Sequence, residues 1–247
     1  MGLRLVGLGP GGEQQLTPQA RQSLRTSDVV LGYESYVNQV KSFLNEIPEV
    51  RAYDLGDELQ RADDALDLAR DGQEVSLVSS GDVGIYAMAS PVFEKLESRS
   101  LSSVDVEVVP GITALSASAA RLGAPAAQDF AVISLSDLLT PMDRILSRVK
   151  HAARGDFVVA FYNPRSRSRS EHLSRALDQL REHRTEETPV GIVWDAFRSE
   201  ETATVCTLDD VPTEDVDMFA TVIVGNSRTR RYAGWMYTPR GYGAVEN

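Results

Sequence analysis

The 247-residue sequence has one cysteine, three histidines and no long apolar run. The single Cys206 cannot form an internal disulfide or a cysteine-based zinc or iron–sulfur site, which predicts a reducing, cytoplasmic setting. No stretch of about 18 apolar residues is present, so we expect no membrane span. The first residues also lack the basic and apolar segments of a secretory signal. A globular protein is the expectation that follows.

Positive charge is scarce as well. The chain carries 25 Lys and Arg against 36 Asp and Glu, for a formal net charge of −11 at pH 7. A general nucleic-acid binder needs a basic face to meet phosphate, so we expect no nucleic-acid partner. The arginines at 165, 167 and 169 can meet an acidic ligand, but a solvated charge cluster is the simpler interpretation.

Hydrolytic and metal-binding motifs are missing. His151, His172 and His183 lie in charged, helical contexts without the spacing of metal ligands, so we expect surface positions and no metal. Neither a G-x-S-x-G elbow nor a paired Cys/His nucleophile occurs. A hydrolase or a metalloenzyme is therefore poorly supported.

Strands alternate with helices along the first half of the chain. Short apolar strands are predicted to begin at Leu3, Asp28, Glu74 and Asp105. Helices are predicted over 18–26, with Thr17 as N-cap, and over 57–70. This order implies right-handed βαβ units and a parallel sheet.

The pattern restarts after residue 111. The predicted elements there are helices over 113–122, 142–153 and 168–184, strands over 131–135, 156–162, 190–195 and 218–224, and an exposed antiparallel strand over 200–207. The fold class is therefore α/β, with a parallel-sheet N-terminal domain of residues 1–112 and a mixed-sheet C-terminal domain of residues 113–247. We expect the active site in the cleft between the two domains. A single large doubly wound domain is the alternative.

Glycine and small polar residues follow several of these strands, where ligands of α/β proteins usually bind. The turn Gly7–Gly12 has the spacing of a dinucleotide fingerprint, but Pro10 removes a backbone donor and no Lys-Ser/Thr pair follows. Asp82 can bind a ligand or cap a helix that carries Tyr86. Thr113 precedes a helix of small residues whose start can bind a carboxylate, or Thr113 simply caps that helix.

The order and spacing of these segments are specific when they are taken together. The segments GLGPG, DVVLGYESY, SSGDVGIYAMA and VVPGITA resemble those of the tetrapyrrole (corrin/porphyrin) methyltransferase family, and the resemblance covers nearly the whole chain. In the second half, ISLSDLLTP, FVVAFYNPRS, TPVGIV, MFATVIVGNS and TPRGY are similar to the precorrin-3B C17-methyltransferase subgroup. Val83 and Ala87 depart from residues that the family often has, which alters the expected packing there.

The resemblance implies two α/β domains, a homodimer, and S-adenosylmethionine (SAM) as the methyl donor for a tetrapyrrole substrate. The implied reaction methylates C17 of precorrin-3B or its cobalt counterpart and contracts the ring to (cobalt-)precorrin-4, within cobalamin biosynthesis. The sulfonium of SAM is already a strong leaving group, so methyl transfer requires placement and shielding from water rather than a metal or a nucleophilic side chain.

The resemblance and the strand-end positions assign residues to three roles. The candidates for cofactor binding are Gly81, Asp82, Ile85, Ile112, Thr113, Ala114, Ser134, Leu135, Ser136, Tyr162, Asn163 and Asn226. The candidates for substrate binding are Gly9, Pro10 and Gly11, with Arg121, Arg165 and Arg240 as partners of the substrate carboxylates. Ring contraction needs a proton transfer, for which Ser80, Asp82, Tyr86 and Asp137 are unranked candidates.

Two alternatives stay open on the sequence alone. One is another methyltransferase of the same family that acts at a different ring carbon or on another kind of acceptor. The other is a non-catalytic corrinoid- or nucleotide-binding module. Binding of SAM separates an enzyme of this family from such a module.

Overall fold

In the computed structural model, which describes residues 2–44, 49–166 and 169–242, five short runs of the first half pair as a parallel sheet. The strands are β1 (Leu3–Gly7), β2 (Val29–Tyr33), β3 (Glu49–Tyr53), β4 (Val75–Ser79) and β5 (Val106–Val109), in the order β3-β2-β4-β1-β5. Every neighbouring pair is parallel, as the βαβ pattern predicted. All five residues of β4 are buried, which suits a strand covered on both faces.

Four helices accompany this sheet: α1 (Pro18–Arg25), α2 (Glu34–Phe43), α3 (Glu58–Arg70) and α4 (Ala89–Ser98). α1 begins as predicted, because Thr17 Oγ1 accepts a hydrogen bond from the N–H of Ala20 at 3.1 Å and Pro18 takes the first helical position. Leu5 and Leu77 pack towards α3 and α4 on one face of the sheet. Residues of α1 and α2 fill a separate cluster on the other face.

The second half forms a mixed five-stranded sheet, as predicted. Its strands are β7 (Phe130–Ser134), β8 (Val158–Tyr162), β9 (Pro189–Trp194), β10 (Thr202–Thr207) and β11 (Ala220–Val224), in the order β10-β9-β11-β8-β7. β7 and β8 are parallel, whereas β11 is antiparallel to both β8 and β9. The carboxyl ends of β7, β8 and β9 therefore share one edge of the sheet, and the carboxyl end of β11 lies at the opposite edge.

Three helices and a small second sheet complete this half. The helices are α5 (Ala114–Leu122), α6 (Met142–Arg154) and α7 (His172–Arg181), and the small sheet joins β6 (Gly123–Ala124), β12 (Arg230–Tyr232) and β13 (Trp235–Tyr237). α6 and α7 pack on one face of the mixed sheet, around Phe161 and Ile192. α5 packs on the other face, against Ala160 and Ile223.

The pattern of internal contacts divides the chain into two units, Met1–Ala114 and Leu115–Asn247. The sequence had suggested a division after residue 112. No helix in the described ranges is long and apolar enough to cross a membrane.

Several elements differ from the sequence prediction. α2, β3, α4 and the small sheet were not predicted. β3 has no buried residue, and Glu49 and Arg51 interrupt the apolar run that marks the other four strands of its sheet. α7 begins at His172, whereas the predicted start at Ser168 lies outside the described residues, and α7 ends at Arg181 rather than Arg184.

Arg184 ties three elements of the second unit together instead of extending α7. Its side chain is 3% exposed, donates hydrogen bonds to the carbonyls of Ala153 at 2.9 Å and Phe157 at 3.1 Å, and lies 3.1 Å from Asp156 Oδ1. Burial lowers the pKa of the Arg184 guanidinium below its ordinary value. The guanidinium therefore satisfies the end of α6 and the start of β8, away from the carboxyl edge of the sheet.

Candidate functional site

Three glycine-containing turns meet at the carboxyl ends of β1, β4 and β5. The N–H of Gly9 donates to the carbonyl of Gly81 at 3.0 Å, and the N–H of Gly81 donates to the carbonyl of Gly9 at 2.8 Å. A Cβ on Gly111 would lie 2.1 Å from the carbonyl oxygen of Gly81, and one on Gly7 would lie 2.6 Å from the nitrogen of Gly111. The glycines are therefore required because these turns pack backbone against backbone.

Asp82 holds two of these turns together. Its Oδ1 accepts a hydrogen bond from the N–H of Gly84 at 2.8 Å, and its Oδ2 accepts one from the N–H of Gly111 at 3.0 Å. The predicted alternative, a cap for a helix that carries Tyr86, is wrong: α4 begins only at Ala89, and Tyr86 precedes it with a φ of 54°. Both carboxylate oxygens are thus engaged in fixing the backbone, which favours a positioning role over proton transfer.

The segment 112–114 borders the same cluster of turns. A Cβ on Gly81 would lie 3.8 Å from the Cα of Thr113 and from the nitrogen of Ala114. Ile112, Thr113 and Ala114 are all half-buried. The structure therefore brings together the first-unit residues that the sequence had predicted for the cofactor.

The remaining candidates of the first unit differ in exposure. Ser80 is half-buried, whereas Ile85 is 40% and Tyr86 57% exposed. Pro10 is buried, and the carbonyl of Gly11 accepts a hydrogen bond from Gln39 Nε2 at 3.0 Å. Ile85 and Tyr86 therefore present the most accessible side chains near the turns.

In the second unit, the ends of β7 and β8 are cross-linked by polar contacts. Asn163 Nδ2 donates to Ser134 Oγ at 3.0 Å, and the N–H of Ser136 donates to the same oxygen at 3.3 Å. The Tyr162 hydroxyl accepts a hydrogen bond from the N–H of Leu115 at 2.5 Å, in the first turn of α5. Leu135 lies in the hydrophobic core, so only its backbone faces this edge.

The loop after β9 lies at this edge too and was missed from the sequence. Asp195 and Phe197 adopt φ values of 45° and 63°, which non-glycine residues rarely do outside functional or strained loops. Arg121 stacks 3.8 Å over the Phe197 ring and forms an ion pair with Glu201 at 2.7 Å. The available signal was the polar and aromatic run WDAFRSE directly after a buried strand.

The expected positions of Asn226 and Arg240 are wrong, because β11 is antiparallel to β8 and β9 and its carboxyl end lies at the opposite edge of the sheet. Asn226 is 4% exposed, and its Nδ2 donates to the carbonyl of Asp156 at 3.1 Å, just before β8 begins. The side-chain amide of Gln128 links this position to the exposed Arg240. Gln128 Oε1 accepts a hydrogen bond from Asn226 Nδ2, and Gln128 Nε2 donates one to the backbone carbonyl of Pro239, the residue before Arg240. Both residues therefore lie at the amino edge of β8, away from Tyr162.

Arg165 and Asp137 stay at the carboxyl edge, but each has a partner. Arg165 forms an ion pair with Glu214 at 2.5 Å. Asp137 Oδ2 lies 3.1 Å from His172 Nε2, and the His172 ring lowers the pKa of the Asp137 carboxyl below its ordinary value. The surface position expected for His172 is wrong, because its side chain is only 13% exposed.

Metal-ligating side chains do not gather within the described ranges, where no group of three His, Cys, Asp or Glu could hold an ion.

The sequence matches known proteins over nearly its whole length. A family model described as Tetrapyrrole (Corrin/Porphyrin) Methylases matches residues 2–212. The chain is 44% identical over 240 residues to the probable cobalt-factor III C(17)-methyltransferase of Salmonella typhimurium, covering 97% of the chain and 99% of that relative. It is 40% identical over 243 residues to the cobalt-factor III methyltransferase of Priestia megaterium, covering 97% of the chain but 45% of that longer relative.

Solved structures agree with this match. The crystal structure of the methyltransferase CobJ has a TM-score of 0.92 and 40% identity, covering 96% of this chain and 99% of that one. The cobalt precorrin-4 methyltransferase CbiF has a TM-score of 0.75 at 24% identity, covering 90% of this chain and 94% of that one, which is a similarity of fold.

Proposed function

The chain belongs to the tetrapyrrole (corrin/porphyrin) methylase family, and from that premise we propose that it is a SAM-dependent C-methyltransferase of cobalamin biosynthesis. The proposed reaction methylates C17 of precorrin-3B or its cobalt counterpart and contracts the macrocycle to (cobalt-)precorrin-4. The observation that carries the proposal is the near full-length identity to a protein named as a probable cobalt-factor III C(17)-methyltransferase. The similarity to CobJ at a TM-score of 0.92 supports it.

The turns of the first unit suit a cofactor that lies against backbone. Gly81 has a φ of 65°, and a Cβ there would meet only ordinary contacts, the nearest at 3.8 Å. A cofactor bound at these turns would lie against the backbone of Gly81, with Thr113 and Ala114 as immediate neighbours. We assign Gly81, Ile85 and the segment 112–114 to SAM binding, and Asp82 to holding these turns in register.

For the second unit, we assign the carboxyl edge of the mixed sheet to the same role. Ser134, Ser136 and Asn163 present polar groups there, Leu135 presents only its backbone, and Tyr162 reaches the start of α5. Asn226 does not belong to this set, because its side chain already donates a hydrogen bond to the carbonyl of Asp156 at the opposite edge of the sheet. When bound, SAM supplies a methyl group on a sulfonium, which makes it transferable without a covalent enzyme intermediate.

The residues of the chain then have to orient the macrocycle, exclude water and move one proton. Pro10 and its flanking glycines are assigned to the substrate, as is Arg165, while Arg121 acts through the loop after β9. Among the candidates for the proton transfer, Tyr86 is the most exposed first-unit side chain. Asp82 is the least suited, since both its oxygens already accept hydrogen bonds.

The decisive experiment supplies [methyl-¹³C]SAM with either metal-free precorrin-3B or its cobalt counterpart and analyses the products by mass spectrometry and NMR. We expect a ¹³C-methyl group at C17 and a contracted ring with one of the two substrates. A methyl group at another ring carbon would favour a different methyltransferase of the family. Micromolar SAM binding without any methylated product would favour a non-catalytic module. Sedimentation velocity tests the homodimer that we also propose.

A further inference from the structure

Buried polar atoms without a hydrogen-bond partner concentrate at one place in the second unit. Within the described ranges, five buried side-chain nitrogen or oxygen atoms have no hydrogen-bond partner. Three of them are Nε of Arg169 and both ring nitrogens of His172. Buried donors without acceptors are costly, and their clustering often marks a position that a ligand fills.

The other two atoms occur singly and in ordinary settings. Arg61 uses its Nη2 to reach the carbonyl of Asp54 at 3.3 Å and lies 5.8 Å from the Tyr53 ring, so only Nε is left over. Ser118 is a single hydroxyl in the middle of α5. Neither is accompanied by a second orphaned donor, unlike the pair at the start of α7.

Arg169 and His172 face the same loop, which follows β7 at the carboxyl edge of the sheet. Arg169 Nη1 donates a hydrogen bond to Ser136 Oγ at 2.8 Å. The residue after Ser136 is Asp137, whose Oδ2 lies 3.1 Å from His172 Nε2. This contact has the distance of an ion pair but not the alignment of a hydrogen bond. The two basic side chains therefore contact consecutive residues of one loop, and the first of these, Ser136, donates its N–H to Ser134 Oγ at 3.3 Å.

Nearby carboxylates do not fully balance the two basic side chains of Arg169 and His172. Within the described ranges, the carboxylate in contact with the pair is that of Asp137, and its side chain is 39% exposed. The neighbouring Arg165 already has an ion-pair partner in Glu214, and Arg175 lies 3.8 Å from Asp143. His172 thus contacts one poorly aligned, exposed carboxylate, and Arg169 donates to a neutral hydroxyl, so the two side chains are arranged to accept a further anion.

We propose that Arg169 and His172 form a binding site for one carboxylate side chain of the tetrapyrrole substrate. The inference rests on the proposed function, because that function supplies a polycarboxylate. The substrate carboxylate takes the place of the exposed Asp137 side chain, which turns outward. Its two oxygens then accept hydrogen bonds from Arg169 Nε and from the His172 ring.

The first test measures steady-state kinetics of Arg169→Gln and His172→Gln with the C17-methylation assay. We expect each variant to raise the substrate KM about tenfold to a hundredfold, the range of a lost charge-assisted hydrogen bond, with kcat and the SAM Kd within twofold. Arg169→Lys is expected to restore part of the loss. The matched control Arg175→Gln, on the exposed side of α7, should leave KM unchanged. An unchanged KM in Arg169→Gln, or a change confined to the SAM Kd, overturns the proposal.

The variant Asp137→Asn distinguishes an anion-binding site from a cluster with only a structural role, because the two interpretations predict different changes in the substrate KM. If Asp137 competes with the substrate, its neutralisation leaves the substrate KM equal or lower. If the three side chains only support one another structurally, Asp137→Asn raises KM as Arg169→Gln does, and the assignment fails.

Calorimetry with uroporphyrin III and its neutral octa-amide keeps this inference separate from the proposed reaction. We expect the wild type to bind the acid more tightly than the amide, and Arg169→Gln to lose about tenfold for the acid only. Equal losses for both probes overturn the carboxylate site. An inactive wild type that still discriminates between the probes refutes the proposed reaction and leaves the site standing.

Discussion

Replacing Asp82 by alanine tests whether the turns after β4 and β5 must be held together. The carboxylate accepts hydrogen bonds from Gly84 at 2.8 Å and from Gly111 at 3.0 Å, and alanine removes both acceptors. A buried hydrogen bond to a charged group contributes about 1.5–3 kcal/mol, but Gly84 is exposed and Asp82 only half-buried. We therefore expect the free energy of unfolding to fall by about 1–3 kcal/mol in total, which leaves the protein folded.

The effect on activity should exceed the effect on stability. The nitrogen that Asp82 fixes belongs to Gly111, and an added Cβ on Gly111 would lie 2.1 Å from the Gly81 carbonyl oxygen, so we expect a shift of Gly111 to displace the turn at Gly81. A misplacement of about 1 Å in a reacting pair costs about a hundredfold in rate. We expect kcat/KM to fall by about tenfold to a hundredfold, with a raised SAM Kd.

The assay combines urea unfolding, calorimetry with SAM, and the methylation rate. Asp28→Ala is the matched control: Asp28 Oδ2 also accepts a backbone N–H, that of Glu74 at 2.8 Å, but at the amino edge of the same sheet. It should lower stability without changing SAM affinity. If Asp82→Ala keeps normal turnover and SAM affinity, the turns do not need this carboxylate and the reasoning is refuted.

Three further predictions concern one side chain each. Tyr162→Phe removes the acceptor at the start of α5, so the SAM Kd measured by calorimetry should rise several-fold at an almost unchanged Tm; an unchanged Kd would contradict the assignment. Arg184→Met leaves the carbonyl acceptors of the guanidinium unpaired, so the free energy of unfolding measured in urea should fall by about 2–3 kcal/mol. In the control variant Arg70→Met, which changes a half-exposed side chain, the free energy of unfolding should not fall. Hydrogen bonds from Lys95 and Arg99 hold the pKa of the Asp63 carboxyl below its ordinary value. The stability that this charge contributes is therefore present above the ordinary value and is lost as the pH falls through the lowered pKa. The stability difference between wild type and Asp63→Asn should therefore shrink on acidification from pH 5, and a constant difference would refute it.

Alternation of apolar runs and helices was enough to predict both sheets, since burial leaves a direct trace in the sequence. β4 has five buried residues and was predicted, whereas the edge strand β3 has none and was not. The hairpin of β12 and β13 was missed for a related reason: only Met236 of its residues is buried, so its sequence shows no clear alternation. Burial alone does not decide the outcome, because the edge strand β10 also has no buried residue and was predicted from its alternation of polar residues with Thr and Val.

The candidate site was predictable only where strand direction was known. Parallel strands place their carboxyl ends together, which is why Gly81, Asp82 and Thr113 meet in the structure as expected. The same rule failed for Asn226, because β11 is antiparallel to β8 and no local signal in the sequence gives its direction. Nor does spacing reveal that His172 turns inward to a loop 35 residues earlier in the chain.

The glycine turn after β1 illustrates how similar patterns arise from different physical needs. In a dinucleotide-binding loop, glycines let free backbone N–H groups approach a phosphate. Here the N–H groups of Gly9 and Gly81 are spent on each other's carbonyls, and Pro10 has none to offer. The glycines instead allow the turns to pack backbone against backbone, because a Cβ on Gly7 or Gly111 would lie less than 3 Å from a neighbouring turn. The SAM site that we propose at this edge therefore relies on the shape of fixed backbone rather than on donors aimed at a phosphate, which suits a methyl donor without phosphate groups.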